Sequence, residues 1–504
     1  MAEQVLSHEA DAAPKTGAAS AVQANPHHAK RWWILAVLGL AQVMVILDTT
    51  VVNIALPTAQ RDLGFSNGNR QWIITAYALA FGSLLLLGGR LADLLGHKRT
   101  FIVGLIGFGV ASAIGGAANG FGMLVVARTA QGAFGALMAP AGLALMTTTF
   151  TDAKERAKAF GIYGAIAGAG GGLGLLLGGL LTEYTSWRWT LFINLAIAGV
   201  ALIGTFVFLH HQKSPHHARL DLPGTLTVTA GLFALVYGFS RAESHGWSNT
   251  GTIGFLIAAG VLLVAFVLIQ RRSGNPLLPL HVLLDRNRAG AFVSIFLVSI
   301  GMFAVFLFLT YYLQVNKGYS AVRSGVAFLP MIGVLSVTAA VVNTRLATKV
   351  SPRITVPVGL ALGAVGMYLL TRLNLSSSYV DVLIPLVVMG AGFGITFASA
   401  PSNATLGVEP EDAGVASAVF NVMQQVGGSV GTALLNTIAA SAATSYLTSH
   451  AGQVGVQGLA VMHSYTTAFW WAAGIIAGAA VLTAIIFRSG VPQLDPDAAP
   501  VSVG

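Results

Sequence analysis

Asp48 and Arg128 are the residues of this chain best placed to do chemistry. No other charge lies between Arg31 and Arg61, so Asp48 stands alone in a long apolar run that opens at Trp32. Arg128 is likewise the one charge between Arg99 and Asp152. A charge at the centre of a membrane helix costs about 2.5–3.5 kcal/mol on insertion scales, so one kept there marks an ion or substrate path by default. A carboxylate binds and releases protons, and a guanidinium is a natural partner for it. The chemistry on offer is an ion pair made and broken as a proton comes and goes, or else a permanent salt bridge that holds two helices together.

Other chemistries find little support. The chain has no cysteine, which removes disulfides, thiol catalysis and thiolate metal sites. No nucleophile–base pair stands out, and no Gly-rich phosphate loop ending in Lys-Ser or Lys-Thr occurs, so neither an enzyme nor direct ATP drive is expected. His210, His211, His216 and His217 lack a nearby carboxylate cluster and read as a solvated loop rather than a metal site. The net charge of +9 could suit nucleic acid, but the basic residues sit at the edges of apolar stretches, where membrane topology explains them.

Helices must position these groups, because the chain is 55% hydrophobic and 9% charged, with a mean hydropathy of +0.74. Soluble domains carry about 25% charged residues. Apolar stretches of about 20 residues recur along the chain, so an all-α integral membrane protein is expected, with fourteen transmembrane helices. The 60 glycines suit close helix packing in a bilayer. With the N-terminus placed in the cytoplasm, nineteen of the 27 Lys and Arg fall on the cytoplasmic side, seven outside and Arg128 within a span. That bias predicts that both termini are cytoplasmic.

An internal repeat suggests the architecture. Arg90-Leu91-Ala92 recurs as Arg345-Leu346-Ala347, each at the end of a span and before a basic loop. Repeated halves are common in secondary transporters. The expected organisation is a disordered cytoplasmic tail (1–30), a six-helix bundle (31–212), a two-helix insert (213–272), a second six-helix bundle with a preceding interfacial segment (273–488), and a tail (489–504). Span 1 runs outward and span 4 inward, and Asp48 and Arg128 each lie six or seven residues from an outer end. At 1.5 Å per residue both sit about 10 Å deep, which allows them to pair.

The loop after span 2 reads Gly89-Arg90-Leu91-Ala92-Asp93-Leu94-Leu95-Gly96-His97-Lys98-Arg99. Gly96 suits a helix C-cap needing positive φ, and Lys98 and Arg99 suit a cytoplasmic flank. This loop is similar to the signature of the major facilitator superfamily. With Leu47-Asp48-Thr49-Thr50-Val51-Val52-Asn53-Ile54-Ala55-Leu56-Pro57, Arg128-Thr129-Ala130-Gln131-Gly132 and Trp187-Arg188-Trp189 followed by Asn194, the chain resembles the fourteen-helix drug:proton antiporter family. The resemblance implies that Asp48 and Arg128 take part in proton coupling. It also implies that Asp93 and Arg90, with Gly89, Gly96, Lys98 and Arg99, form a conformational switch.

Span 5 departs from the pattern. The antiporter motif of the family places a proline where this chain has Leu175, although Gly174, Gly178 and Gly179 remain and Gly168 precedes them. Less kinking is expected without the proline. Asn53, Gln131, Tyr311, Asn421 and Gln425 are candidates to line a central cavity. Asn421 and Gln425 are four residues apart and so share a helix face.

The expected protein is a multi-pass transporter of the plasma membrane, acting as a monomer. It would export small amphipathic organic molecules, neutral or monovalent, by alternating access. The proton gradient would drive it without a cofactor, and small molecules, protons and lipid would be its partners rather than nucleic acid. Export of an endogenous metabolite, lipid or antibiotic would use the same machinery. A non-transporting sensor or scaffold is the alternative of another class, and charges inside spans argue against it.

Overall fold

The apolar stretches become helices because a backbone in hydrocarbon must satisfy its own hydrogen bonds. The structure, a computed structural model, describes residues 30–66, 68–150, 152–209, 221–274, 276–346, 349–408 and 412–490. The tails, the paired histidines at 210–211 and 216–217, and Ala347 of the repeat lie outside the described residues. Among the described residues there is no strand.

The first six helices are α1 (Arg31–Leu63), α2 (Gln71–Leu95), α3 (His97–Gly116), α4 (Phe121–Thr149), α5 (Ala153–Tyr184) and α6 (Trp189–Phe208). Two more, α7 (Leu222–His245) and α8 (Thr250–Arg272), precede a five-residue helix, α9 (Leu280–Leu284). Six long helices follow: α10 (Arg286–Tyr311), α11 (Ala321–Val341), α12 (Pro352–Leu370), α13 (Val380–Thr405), α14 (Ala413–Ser449) and α15 (Val456–Ile486). Thirteen of the long helices are apolar enough to cross a membrane, and α5 is the fourteenth long helix.

Several helices outrun their apolar stretches. Helix α1 continues to Leu63, beyond the hydrophobic run ending near Ile54, and α15 begins at Val456, before the run that starts near Ser464. Polar residues there extend the helix past the bilayer core, where hydropathy cannot see it. Local chemistry fixes many ends: Asp221, Asn249, Asp285, Ser320 and Ser351 accept backbone N–H bonds at helix starts. Gly96 closes α2 at φ +92°, with its N–H on the Ala92 carbonyl, as the cap expectation requires.

Helices α1–α6 pack mainly on one another, as do α10–α15. The two halves meet along α2–α14 and α5–α11, with α1 also touching α10 and α11. Helix α7 packs on both α2 and α14, whereas α8 touches chiefly α7. Thr229 donates to the Ser83 carbonyl (3.2 Å), and the Gln71 amide donates to Ser240 (3.1 Å). The insert thus backs one of the two seams. Ile257, Val261 and Val264 of α8 are left more than half exposed, as a lipid-facing surface requires.

The segment before α10 packs partly into the protein. Leu277, Leu278 and Val282 are buried, His281 Nε2 lies 2.7 Å from Asp412, and Arg288 donates to the carbonyls of Val282 and His281.

Candidate functional site

Four helices of the first half converge on Asp48. Helix α1 supplies the carboxylate, α4 supplies Arg128 and Gln131 one turn apart, α6 supplies Asn194, and α3 supplies Ser112. Asp48 is fully buried and Arg128 is 1% exposed. Arg128 Nη1 donates to Asp48 Oδ2 at 2.5 Å, while Gln131 Nε2 and Asn194 Nδ2 donate to Oδ1 at 2.9 and 2.7 Å. The carboxylate therefore accepts three donors, one of them charged.

The guanidinium is held as firmly. Arg128 Nε donates to the Ile73 carbonyl (3.1 Å), Nη1 also reaches Gln131 Oε1 (2.9 Å), and its carbon lies 4.5 Å from the Tyr77 ring centre. Gln131 Nε2 further donates to Ser112 Oγ at 2.7 Å. A buried ion pair repays its desolvation only with such supporting bonds. Within this network the Tyr77 hydroxyl and Asn194 Oδ1 have no partner among the described residues. A proton on Asp48 would neutralise the carboxylate and leave the positive charge of Arg128 uncompensated, held only by the Ile73 carbonyl, Gln131 and the Tyr77 ring. That is a charge change able to alter how α1, α4 and α6 pack.

A small cavity adjoins this network, lined by Arg128, Val52, Leu56, Ile73, Trp187 and Thr190. Trp187 Nε1 donates to Asp62 Oδ2 at 2.9 Å, and Asp62 also pairs with Arg188 at 3.1 Å. The Trp-Arg-Trp motif thus ties α6 to the end of α1.

The pair sits inside the first half, not on the wall between halves. Gln131, expected at a central cavity, is fully buried and occupied by Asp48 and Ser112. Asn53 is 7% exposed; its amide donates to the Thr49 carbonyl, and its Oδ1 has no partner among the described residues. Gln425 lies on α14 at the α2 seam, where a Cβ added to Gly82 would meet its Cβ at 3.1 Å, and Asn421 lies one turn before it on α14. Asn421 donates to Ser417 within its own helix, and Gln425 Oε1 is buried without a partner among the described residues.

Tyr311 joins the halves at the end of the bundle opposite the α2–α3 turn, its hydroxyl donating to Gln60 Oε1 of α1. Neighbouring bonds gather there: Gln314 Nε2 to the Ile54 carbonyl (2.9 Å), Val322 N to Glu183 Oε2 (2.9 Å) and Arg70 Nη2 to Asn436 Oδ1 (3.3 Å). A π-helical turn at Tyr312–Asn316 carries Gln314 into this contact.

The glycines of α5 divide by partner. A Cβ on Gly174 would stand 1.8 Å from Thr50 Oγ1, and one on Gly178 would stand 3.0 Å from Val51 Cα, so both serve contact with α1. Gly179 faces the other half: its Cβ would stand 2.7 Å from Val322 Cα. Leu175, at the position of the missing proline, is buried, and its carbonyl abuts Gly325 of α11. Gly168 lies in α5, with its surroundings outside the described residues.

In the α2–α3 turn, Arg90 Nη2 donates to the Pro276 carbonyl (2.9 Å), which ties the turn to the linker before α9. Asp93 Oδ1 meets His97 Nε2 at 3.2 Å, and Lys98 Nζ donates to the Leu209 carbonyl at 2.5 Å. Gly89 lies against Pro140, and Arg99 is exposed.

Sequence reasoning missed three participants. Asn194 stood as a motif letter without a role, although its amide completes the carboxylate's bonds. Ser112 carried no signal beyond its polarity. Arg70 was counted among external loop residues but is 6% exposed at the seam.

The family model described as "Major Facilitator Superfamily" matches residues 38–432. The puromycin resistance protein pur8 of Streptomyces alboniger is 47% identical over 469 residues, covering 92% of this chain and 93% of its own. The cephamycin export protein CmcT of Amycolatopsis lactamdurans is 37% identical, covering 84% of this chain and 88% of its own. A crystal structure of an auto inhibited POT family peptide transporter superposes with a TM-score of 0.68 at 15% identity, covering 94% of this chain and 99% of that one.

Proposed function

The chain belongs to the major facilitator superfamily, a multi-pass membrane transporter of the drug-efflux group, and on that premise we propose that it exports small amphipathic organic molecules, antibiotics among them, in exchange for protons. The observation that carries the coupling is the buried Asp48–Arg128 pair at 2.5 Å, closed by Gln131 and Asn194. The names of the puromycin and cephamycin relatives support the substrate class.

In this reading the α2–α3 end is cytoplasmic, in keeping with the basic residues that gather there. The bonds at Tyr311, Gln314, Arg70 and Glu183 then close the external end. Protonation of Asp48 from outside dissolves the ion pair and favours return to this externally closed state. Proton release to the cytoplasm and substrate binding favour the opposite swing. No cofactor takes part, and one chain suffices because each half supplies one wall of the route.

The test is a panel including puromycin and a cephamycin, added to proteoliposomes that hold an imposed pH gradient. Dissipation of the gradient by a compound, with uphill movement of that compound, is expected. Movement indifferent to the gradient would refute proton exchange.

A further inference from the structure

Three Asp, Glu, Lys or Arg side chains are buried among the described residues: Asp48, Arg70 and Arg128. Two of them neutralise each other. Arg70 has no carboxylate partner among the described residues, and its Nε makes no hydrogen bond. A buried guanidinium without a counter-charge is costly, and a structure that keeps one has a use for it or a strong local substitute.

The local substitute here is weak. Arg70 sits just before the first residue of α2, and its environment is supplied by the other half. Nη2 donates to Asn436 Oδ1 of α14 at 3.3 Å, and its carbon stands 4.2 Å from the Tyr311 ring and 5.7 Å from the Phe308 ring of α10. The Tyr311 and Tyr465 hydroxyls also reach the guanidinium, but ring faces, neutral hydroxyls and one amide attract a cation less than a carboxylate does. These contacts also belong to helices that must leave α2 if the external end opens. The guanidinium would then stand at the exit mouth without a partner, with the positive end of the α2 dipole behind it. A planar guanidinium with free donors binds carboxylate or sulfonate in a fork, and the displaced aromatic rings suit an apolar body beside it.

We propose that Arg70 is the recognition point for exported organic anions, whose acidic group takes the place of Asn436 and Tyr311 as the external end opens. Asp48 cannot oppose this preference, because Arg128 already neutralises it. The assignment rests on the export reading above and adds a charge class to it.

Two fluorescent probes test it: 8-anilinonaphthalene-1-sulfonate and N-phenyl-1-naphthylamine, which share a ring system and differ by the sulfonate. Both are followed in proteoliposomes under a pH gradient with the intact chain, Arg70→Gln and Arg70→Lys. Arg70→Gln should slow the sulfonate by about ten- to a hundredfold, the worth of a charge-assisted bond, and slow the neutral probe by about twofold or less. Arg70→Lys should keep part of the sulfonate transport. Equal loss of both probes would make Arg70 a gate contact only and overturn the assignment, as would unchanged sulfonate transport in Arg70→Gln. Movement of the neutral probe alone by the intact chain would overturn the anion preference while leaving export standing. Movement of neither would overturn export of this class and the assignment together.

Discussion

Asn194 of α6 places a 2.7 Å hydrogen bond on the same Oδ1 of Asp48 that Gln131 of α4 reaches at 2.9 Å. The carboxylate is therefore enclosed by its own half, away from the seams along α2–α14 and α5–α11. In the proposed exchange, a proton bound there would act on substrate through the packing of α1, α4 and α6 rather than by touching it. Helix α1 also carries Gln60 and the Ile54 carbonyl, both bonded across the seam at the end opposite the α2–α3 turn, so one helix joins the two regions.

Asp48→Asn should abolish proton-driven efflux while leaving gradient-independent substrate exchange measurable. It should also strand Arg128, and loss of one partner from a buried pair costs about 3–5 kcal/mol. Thermal unfolding of purified protein would show the loss, and the double variant Asp48→Asn with Arg128→Gln should recover stability without recovering coupling. Full efflux in the single variant would remove Asp48 from the mechanism.

Asn194→Ala removes one donor from a charged acceptor, worth about 1.5–3 kcal/mol. Lower thermal stability and slower gradient-driven efflux are expected together, because the donor fixes the carboxylate toward α6. A variant matching the intact chain in both measurements would show that the 2.7 Å bond does not matter.

The pairing of Asp48 with Arg128 was legible because charges are so sparse that counting residues along two helices gives their depth. Gln131 could have been drawn into the pair on the same grounds, since it lies three residues from Arg128 and shares its face. Thirteen of the fourteen long helices were legible from apolar length, and Gly96 from its place in the turn. Arg70 was not, because nothing local buries it: its cover comes from Asn436, 366 positions away, and from Tyr311. Asn194 was missed for a similar reason, as an amide in an apolar helix does not say which helix it faces.

Gly179→Ala should weaken the closed external end. The added Cβ would stand 2.7 Å from Val322 Cα and 2.8 Å from the Ala321 carbonyl, and backbone cannot yield as a side chain can. Overpacking of this kind costs about 1–3 kcal/mol, here charged to one conformation rather than to the fold. Because the chain has no cysteine, single cysteines placed on the external loops report accessibility without background. Faster labelling in Gly179→Ala than in the intact chain is expected, and equal labelling would show that the α5–α11 contact survives the change.

Tyr311 offers two contacts that substitution can separate. Its hydroxyl bonds Gln60 of the first half, and its ring lies 4.2 Å from the Arg70 guanidinium. Tyr311→Phe removes only the hydroxyl, a neutral bond worth about 0.5–1.5 kcal/mol. The closed external state should therefore lose about two- to tenfold in population, since 1.4 kcal/mol is about a factor of ten. Tyr311→Ala also removes the ring face nearest to Arg70, leaving it Asn436, the Phe308 ring and Tyr465 in the closed state, so the shift toward opening should be larger. Spin labels on cysteines replacing Ser66 and Leu375, exposed positions in opposite halves, would read the distance across the external end. A longer-distance population that grows from the intact chain through Tyr311→Phe to Tyr311→Ala is expected. An identical distribution in all three would mean that α1 and α10 are held together by Gln314 and its neighbours instead, with Tyr311 a bystander at the seam.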